Sequence, residues 1–208
     1  MIDTYSELSG DAMHSKDGST FYSVRTKGEW GIADGHDDDG FFLRVFDIDP
    51  DEKKGITSKS LSQAGKLDEV SGNSYDVRLP DGMDSAQMAD GLLDRISRHG
   101  ASSERDINYQ ANRTLLTQFG FEEFEAAHSA ERRTYAETLE AVKKHFGDGG
   151  PHAFSEKPSK QIAALTYMKE DLGANYATKL ETKKPDAAAP KTSPFTTVIP
   201  NIGRRPGA

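Results

Sequence analysis

The chain has 208 residues and a formal net charge of −8, and 35% of its residues are hydrophobic and 29% charged. This length fits one domain, or one domain with an extended tail, and the acidic balance argues against a general nucleic-acid binder because phosphate binding needs a basic face. The chain has no cysteine, which excludes disulfides, thiolate metal sites and cysteine nucleophiles.

The sequence gives no sign of a membrane segment. No apolar run approaches the ~20 residues of a membrane-spanning helix, and the N-terminal residues from Met1 to Tyr5 lack the basic and apolar regions of a secretory signal. We therefore expect no membrane span, and either a cytoplasmic location or secretion by a route that needs no signal peptide.

The first 48 residues predict a β-rich region. Asp17 and Gly18 are typical of a hairpin turn that leads into the first strand. The third strand is mostly apolar, so it is expected to lie inside the sheet. The predicted strands cover residues 21–25, 30–32 and 41–46, and Trp30, Phe41 and Phe42 are expected in the core. Two loops are expected, an acidic one at residues 33–40 and a long polar one at residues 49–73.

A strand and a helix are predicted next. Residues 75–79 alternate between polar and apolar side chains, as in a half-buried strand. Asp84 precedes Gln87 by three residues, which is the spacing of a capping box at a helix start, and Gly100 is the expected helix end. The apolar stripe that this helix would bury consists of Met88, Ala89, Leu92, Leu93 and Ile96.

Residues 107–114 predict the start of a second helix. Asn112 is the expected N-cap, which places Thr114 in the first turn. The segment resembles the Tyr-Asn-x-x-x-Asn-Asn-Cys motif of permuted papain-like domains of the NlpC and lecithin-retinol-acyltransferase type, found in bacterial effectors. Asn108 and Asn112 match, and Thr114 stands in place of the nucleophilic Cys.

The resemblance implies a catalytic set of Thr114, Asn112 and His14. His14 is the histidine nearest to the N-terminal strand that carries the catalytic His in the family, although it comes later than the motif places it. At the motif position itself this chain has Asp3. A helix N-terminus would help Thr114 by stabilising an oxyanion, but no histidine has a motif spacing to Thr114.

Two further helices are predicted before the tail. One covers residues 129–146, with Tyr135, Leu139, Val142 and Phe146 on its buried stripe. The other covers residues 156–172, with Pro158 in its first turn and a buried stripe of Ile162, Leu165, Met168 and Leu172.

From about Lys183 the composition becomes rich in Pro and Ala, as in extended linkers. Apolar and basic residues follow within this tail, and such segments commonly fold onto partners. The expected partner-binding residues are Phe195, Val198, Ile199, Ile202, Arg204 and Arg205.

Acidic runs raise the question of a metal site. His36, Asp37 and Asp39 are the candidate ligands, since carboxylates and imidazole suit divalent cations. A solvated loop is the default interpretation of such a run, so neither a metal nor any other cofactor is expected. The chain also lacks a phosphate loop, a dinucleotide-binding Gly motif and a Gly-x-Ser-x-Gly elbow.

Together these patterns predict an α+β fold in which a small, mostly antiparallel sheet from the N-terminal half packs against four or five helices. Residues 1–182 would form a single domain and residues 183–208 an extended tail.

The first candidate function is a non-enzymatic binding or assembly protein, which contacts a protein partner or another copy through its tail. It would be of a bacterial or phage accessory, effector-associated, immunity or adaptor type. The alternative is a papain-like amide or ester hydrolase or toxin-type effector domain, degenerate or using Thr114. Whether the chain is an enzyme stays open.

Overall fold

The computed structural model describes residues 4–7, 13–14, 19–48, 71–147, 149–150, 154 and 156–173. For residues 4–7, 13–14 and 71–72 the description covers the backbone alone. The hairpin turn predicted at Asp17 and Gly18, most of the loop predicted at residues 49–73 and the whole tail lie outside these ranges.

The fold is α+β, as predicted. Six strands form one antiparallel sheet in the order β1-β3-β4-β5-β6, and β2 pairs with β3 beside β1. The long, apolar β5 lies between two neighbours, so its predicted interior position is confirmed. The strands are β1 (Thr4–Glu7), β2 (Met13–His14), β3 (Thr20–Lys27), β4 (Trp30–Asp37), β5 (Gly40–Ile48) and β6 (Ser71–Arg78).

Five described helices follow the sheet in the chain. They are α1 (Ser85–His99), α2 (Glu104–Gln118), α3 (Glu123–Arg132), α4 (Tyr135–Phe146) and α5 (Pro158–Asp171). The predicted start and end of α1 are confirmed: the Asp84 side chain accepts a hydrogen bond from the backbone N–H of Gln87 at 3.1 Å, and Gly100 is the C-cap.

One face of the sheet packs against α1 and α2. Ile32, Leu43, Val45 and Val77 from the strands share a core with the stripe of α1, whose five predicted residues are all fully buried. This apolar contact orients α1 across β3, β4 and β5. Its burial is the main stabilising contribution to this layer, because each fully buried aliphatic side chain contributes about 1.5–3 kcal/mol.

The opposite face of the sheet has a separate apolar cluster. Its members are Phe21, Val24, Ala33, Phe42, Phe46 and Ile48. The Phe46 ring lies over Gly31 and the Phe42 ring over Gly35, where a Cβ would meet the ring atoms. The two glycines of β4 therefore provide the space that the aromatic rings of β5 occupy.

Parts of the strand prediction are wrong. The segment predicted as an acidic loop at residues 33–40 is mostly strand, because β4 continues to Asp37 and a two-residue turn at Asp38 and Asp39 connects it to β5. Phe41 is not a core residue, since 52% of its surface is exposed. Phe41 lies on the same face as the buried Leu43 and Val45, but it is at the hairpin end of β5, directly after Gly40 and the turn.

The predicted helix at residues 129–146 is two helices. The chain leaves the helical conformation at Arg133, and Thr134 caps α4. Thr134 Oγ1 accepts from the Glu137 N–H at 3.2 Å, while the Glu137 carboxylate accepts from the Thr134 N–H at 2.7 Å. This is a capping box with the Thr-x-x-Glu spacing that the sequence contains.

Three predicted core residues in the later helices lie nearer the surface. Ile162 of α5 is 65% exposed, and Ala164 takes its place beside Met168 and Leu172 in the buried stripe. Leu139 of α4 and Leu165 of α5 are only partly buried at the edge of the core. Among the described elements, α5 packs mainly against α4.

Candidate functional site

Thr114 does not lie at a helix start. It belongs to the middle of α2, which begins ten residues earlier and is capped by Ser103, whose side chain accepts from the Asp106 N–H at 3.3 Å. The Thr114 hydroxyl is buried and donates to the carbonyl oxygen of Gln110 at 2.8 Å. The first-turn prediction is wrong because the Ser103 cap, a signal also present in the sequence, starts the helix first.

Asn112 is not the N-cap but a buried clamp between helices. Its Nδ2 donates to the carbonyl oxygen of Arg133 at 2.9 Å, and its Oδ1 accepts from the Thr138 hydroxyl at 2.8 Å. The carbonyl of Arg133 lies at the break between α3 and α4. Asn112 therefore satisfies backbone and side-chain groups that the break leaves inside the molecule.

No described interaction links His14 to Thr114. Its backbone lies in β2 and pairs with Thr20 at the margin of the sheet, and its side chain is outside the description.

The metal candidates lie at the hairpin between β4 and β5. The His36 ring packs edge-on against Phe41, with 4.8 Å between ring centroids. Asp37 forms a two-pronged ion pair with Arg78 at 2.5 and 2.7 Å, and this hydrogen bonding lowers the pKa of Asp37. Asp39 lies 3.9 Å from Arg78. Within the described ranges, no group of three or more His, Asp or Glu side chains is placed to hold a metal ion.

An ion cluster around the buried Arg25 joins the sheet to α1. Arg25 is 3% exposed and contacts Asp34 at 2.7 Å and Asp90 at 2.8 Å, with a further hydrogen bond to Ser23. Burial raises the pKa of Asp34, and the neighbouring Arg25 charge opposes that rise. Because a buried guanidinium needs partners for its charge, the cluster fixes α1 on the sheet.

A polar groove of about 790 Å³ lies between α1 and α2. Its cationic side chains are engaged in ion pairs: Arg95 and Arg113 both bind Glu123, and Arg98 binds Asp94. Hydrogen bonds from Arg95, the largest effect, and from Arg113 lower the pKa of Glu123 to about 2. Thr114 lies at the side of this groove, but its hydroxyl already donates a hydrogen bond to the Gln110 carbonyl within the helix.

A second groove, of about 600 Å³, lies beside β6. We call it the edge groove. Its walls come from β6, the first turns of α2 and the break between α3 and α4. Its lining residues are Asp76, Arg78, Glu104, Arg105, Asn108, Tyr109, Glu131, Arg132, Arg133, Thr134, Tyr135, Ala136 and Leu139. The groove therefore combines apolar side chains with a rim of both charge signs.

The edge groove runs along a strand with a single described neighbour. Among the described strands, β6 pairs only with β5. The Leu79 N–H donates to the Phe41 carbonyl, and the register pairs Arg78 with Phe42. In an antiparallel pair the hydrogen-bonded and non-hydrogen-bonded positions alternate. The backbone groups of Ser74, Asp76 and Arg78 therefore point away from β5.

Tyr135 closes one end of this edge. Its hydroxyl donates to the carbonyl oxygen of Arg78 at 2.5 Å, which is one of the outward-pointing groups. Burial raises the pKa of Tyr135, so the phenol stays a neutral donor at physiological pH. The outward-pointing groups at Ser74 and Asp76 lie beyond it, and both residues are exposed.

The sequence indicated this site only in part. The alternation in residues 75–79 predicted a strand, but its edge position depends on the order of strands in the sheet. The predicted partner-binding residues Phe195, Val198, Ile199, Ile202, Arg204 and Arg205 lie outside the described residues, so their role stays a prediction.

Comparison with known proteins gave no relative from which a function could be transferred. No family model matches the chain, and neither the curated proteins nor the solved structures contain a match. The papain-like resemblance therefore stays a prediction. Among the described residues, no helix is long and apolar enough to cross a membrane.

Proposed function

We propose that this chain is a non-enzymatic binding or assembly protein that contacts a protein partner or another copy through its C-terminal tail. The class is that of bacterial or phage accessory proteins, effector-associated proteins, immunity factors and adaptors. The tail residues that carry the contact are Phe195, Val198, Ile199, Ile202, Arg204 and Arg205.

One observation favours binding over catalysis. The Thr114 hydroxyl is 2.8 Å from the Gln110 carbonyl in a buried helix interior, and Asn112 beside it is engaged with Arg133 and Thr138. A hydroxyl nucleophile needs a base for its proton and space for a substrate carbonyl. The side chains of Thr114 and Asn112 instead form hydrogen bonds that hold the helices together. Neither is available for catalysis in this arrangement, which supports a binding function.

The alternative papain-like hydrolase or toxin-type effector would need Thr114 to break its hydrogen bond and reach the surface. It predicts that Thr114→Ala abolishes an amidase, esterase or toxic activity. A deletion of residues 185–208 would leave that activity intact.

Two variants separate the two functions. The deletion of residues 185–208 and the Thr114→Ala variant are each compared with the full chain, first for complex formation in pull-down experiments and then for growth of a bacterial host that expresses them. The binding function predicts that the deletion weakens complex formation or self-association and that Thr114→Ala leaves both unchanged. Circular dichroism of both variants is the control for folding.

The opposite pattern would overturn the proposal. If the full chain is toxic and Thr114→Ala alone removes the toxicity without lowering the melting temperature, the chain is an enzyme. Unchanged complex formation after the deletion would show that the tail is not the binding element.

A further inference from the structure

We infer that the edge of β6 that no described strand covers, together with the edge groove, binds residues 195–199 from the tail of a second copy of this chain as an added short strand. This inference rests on the proposed function of the tail and adds to it both the receiving surface and the partner.

The backbone of β6 supplies the hydrogen-bonding groups. Ser74 and Asp76 are exposed, and their N–H and C=O groups point away from β5. A row of such groups is a template for another extended chain. The Asp76 carboxylate is bound by Arg44 at 2.8 and 2.9 Å, so the side chain is held back and leaves the edge accessible.

The edge groove supplies places for side chains. Tyr109, Tyr135 and Leu139 lie along it, with Ala136 between the last two. In an added strand every second side chain faces the same way, so alternate residues of the incoming segment would lie against these apolar groups. The Tyr135 hydroxyl on Arg78 limits the length of edge that can be used, which favours a short strand.

The tail contains a segment of matching chemistry. Residues 195–199 read Phe-Thr-Thr-Val-Ile, all of which are residue types enriched in strands. Phe195, Thr197 and Ile199 fall on one side of such a strand. Pro194 and Pro200 flank the segment and limit it to five residues, because proline cannot donate to the pairing.

Charge favours a second copy as the source, and the length of the tail permits it. Residues 183–208 contain five basic residues and one acidic residue, whereas the whole chain has a net charge of −8. The tail and the rest of the molecule are therefore electrostatically complementary, which promotes encounter between two copies. Residues 174–194 separate the last helix from the segment, and at about 3.3 Å per residue they can extend roughly 70 Å.

The experiment measures self-association of the full chain by sedimentation velocity over a range of concentrations. Ala136→Arg places a bulky cation in the edge groove at an exposed helical position. Ala163→Arg makes the same change at an exposed position of α5 and is the matched control. Ala136→Arg is expected to weaken self-association at least tenfold, and Ala163→Arg to leave it within twofold, with unchanged melting temperatures for both.

Amide hydrogen exchange locates the contact. On concentration of the protein, the amides of Ser74 and Asp76 are expected to exchange at least tenfold more slowly. The amides of Tyr75 and Val77 already bond to β5 in this register, so their rates are expected to change little. An alternating pattern of this kind is specific for strand addition. A helix that packs on a face of the sheet would not slow exchange at alternate residues of β6.

The outcomes separate this inference from the proposed function. Self-association that disappears on deletion of residues 185–208 but is insensitive to Ala136→Arg overturns the edge as the site and leaves the tail function intact. A chain that stays monomeric at every concentration overturns the second copy as partner, while a different protein can still bind the tail. Self-association that survives the deletion overturns residues 195–199 as the occupant.

Discussion

At the scale of single residues, Asn112 shows how a side chain that resembles part of a catalytic motif serves packing. Its amide bridges α2 to the break between α3 and α4 through Arg133 and Thr138. The break exists because Thr134 and Glu137 cap a new helix. The Arg133 carbonyl that this leaves without a helical partner is the group that Asn112 binds.

We predict that Asn112→Ala destabilises the fold by about 1–3 kcal/mol, because the part-buried Arg133 carbonyl and the buried Thr138 hydroxyl each lose a partner. Asn108→Ala, one turn earlier in α2 and only half-buried, is the control and should cost less than about 0.5 kcal/mol. Urea denaturation of both variants measures the two values. Equal costs would show that the Asn112 clamp contributes nothing beyond helix propensity.

At the scale of elements, β4 and β5 fit together because glycine faces phenylalanine. Gly31 pairs in register with Phe46, and Gly35 with Phe42, and each ring occupies the space of the missing Cβ. Gly31 does not have a positive φ, so any L-residue could adopt its backbone conformation. The requirement for glycine there comes from packing alone.

Gly31→Ala should therefore cost about 1–3 kcal/mol through overpacking. The cost should fall by at least about 0.5 kcal/mol in a Phe46→Leu background, where the ring is absent. A double-mutant cycle from chemical denaturation tests this coupling. Strictly additive effects would mean that the Phe46 ring moves away from the new Cβ without loss of stability.

Glu123 connects three helices through its ion pairs. It begins α3 and binds Arg95 of α1 and Arg113 of α2. These partners lower its pKa from the usual 4.5 to about 2. A carboxylate with a lowered pKa in the folded state stabilises the fold above the unfolded pKa, and this contribution is lost as the pH falls through the folded pKa.

We predict that the free energy of unfolding declines between about pH 5 and pH 2 and that Glu123→Gln makes this decline smaller. Because more than half of the Glu123 side chain is exposed, its contribution at neutral pH should not exceed about 1 kcal/mol at low salt. Glu131→Gln, an exposed carboxylate of the same helix, is the control. Identical pH profiles for the two variants would contradict the role of the ion pairs.

At the scale of the whole molecule, the described residues up to Gly173 contain a continuous apolar core that extends from the sheet through all five helices. The sequence predicts that the folded domain ends near residue 182, because apolar periodicity stops and Pro and Ala become frequent. Such a composition cannot bury enough apolar surface to offset the entropy of ordering.

Deletion of residues 183–208 should then leave the melting temperature of the dilute chain nearly unchanged. Differential scanning calorimetry at concentrations below self-association makes the comparison. For a chain of this length, a drop of more than roughly 4 °C would correspond to over about 1 kcal/mol. A drop of that size would show that the tail packs onto its own domain.

The sequence by itself determined the elements whose signals are local. The Asp84 cap, the five-residue apolar stripe and Gly100 defined α1, because capping and periodicity act within a few residues. Alternation defined only the second half of β6, since residues 71–73, which were predicted as part of a loop, also belong to the strand. Two local signals were present but not used in the prediction, the Ser103 cap of α2 and the Thr134 capping box of α4.

Only the tertiary structure decided burial and partners. Nothing local distinguishes Phe42 from Phe41, or shows that Asn112 meets a residue 26 positions away. That β6 has a single neighbour among the described strands depends on the order of those strands in the sheet. These properties arise from contacts between segments distant in sequence, and whether a polar group is satisfied or an edge is free depends on which segment lies next to it.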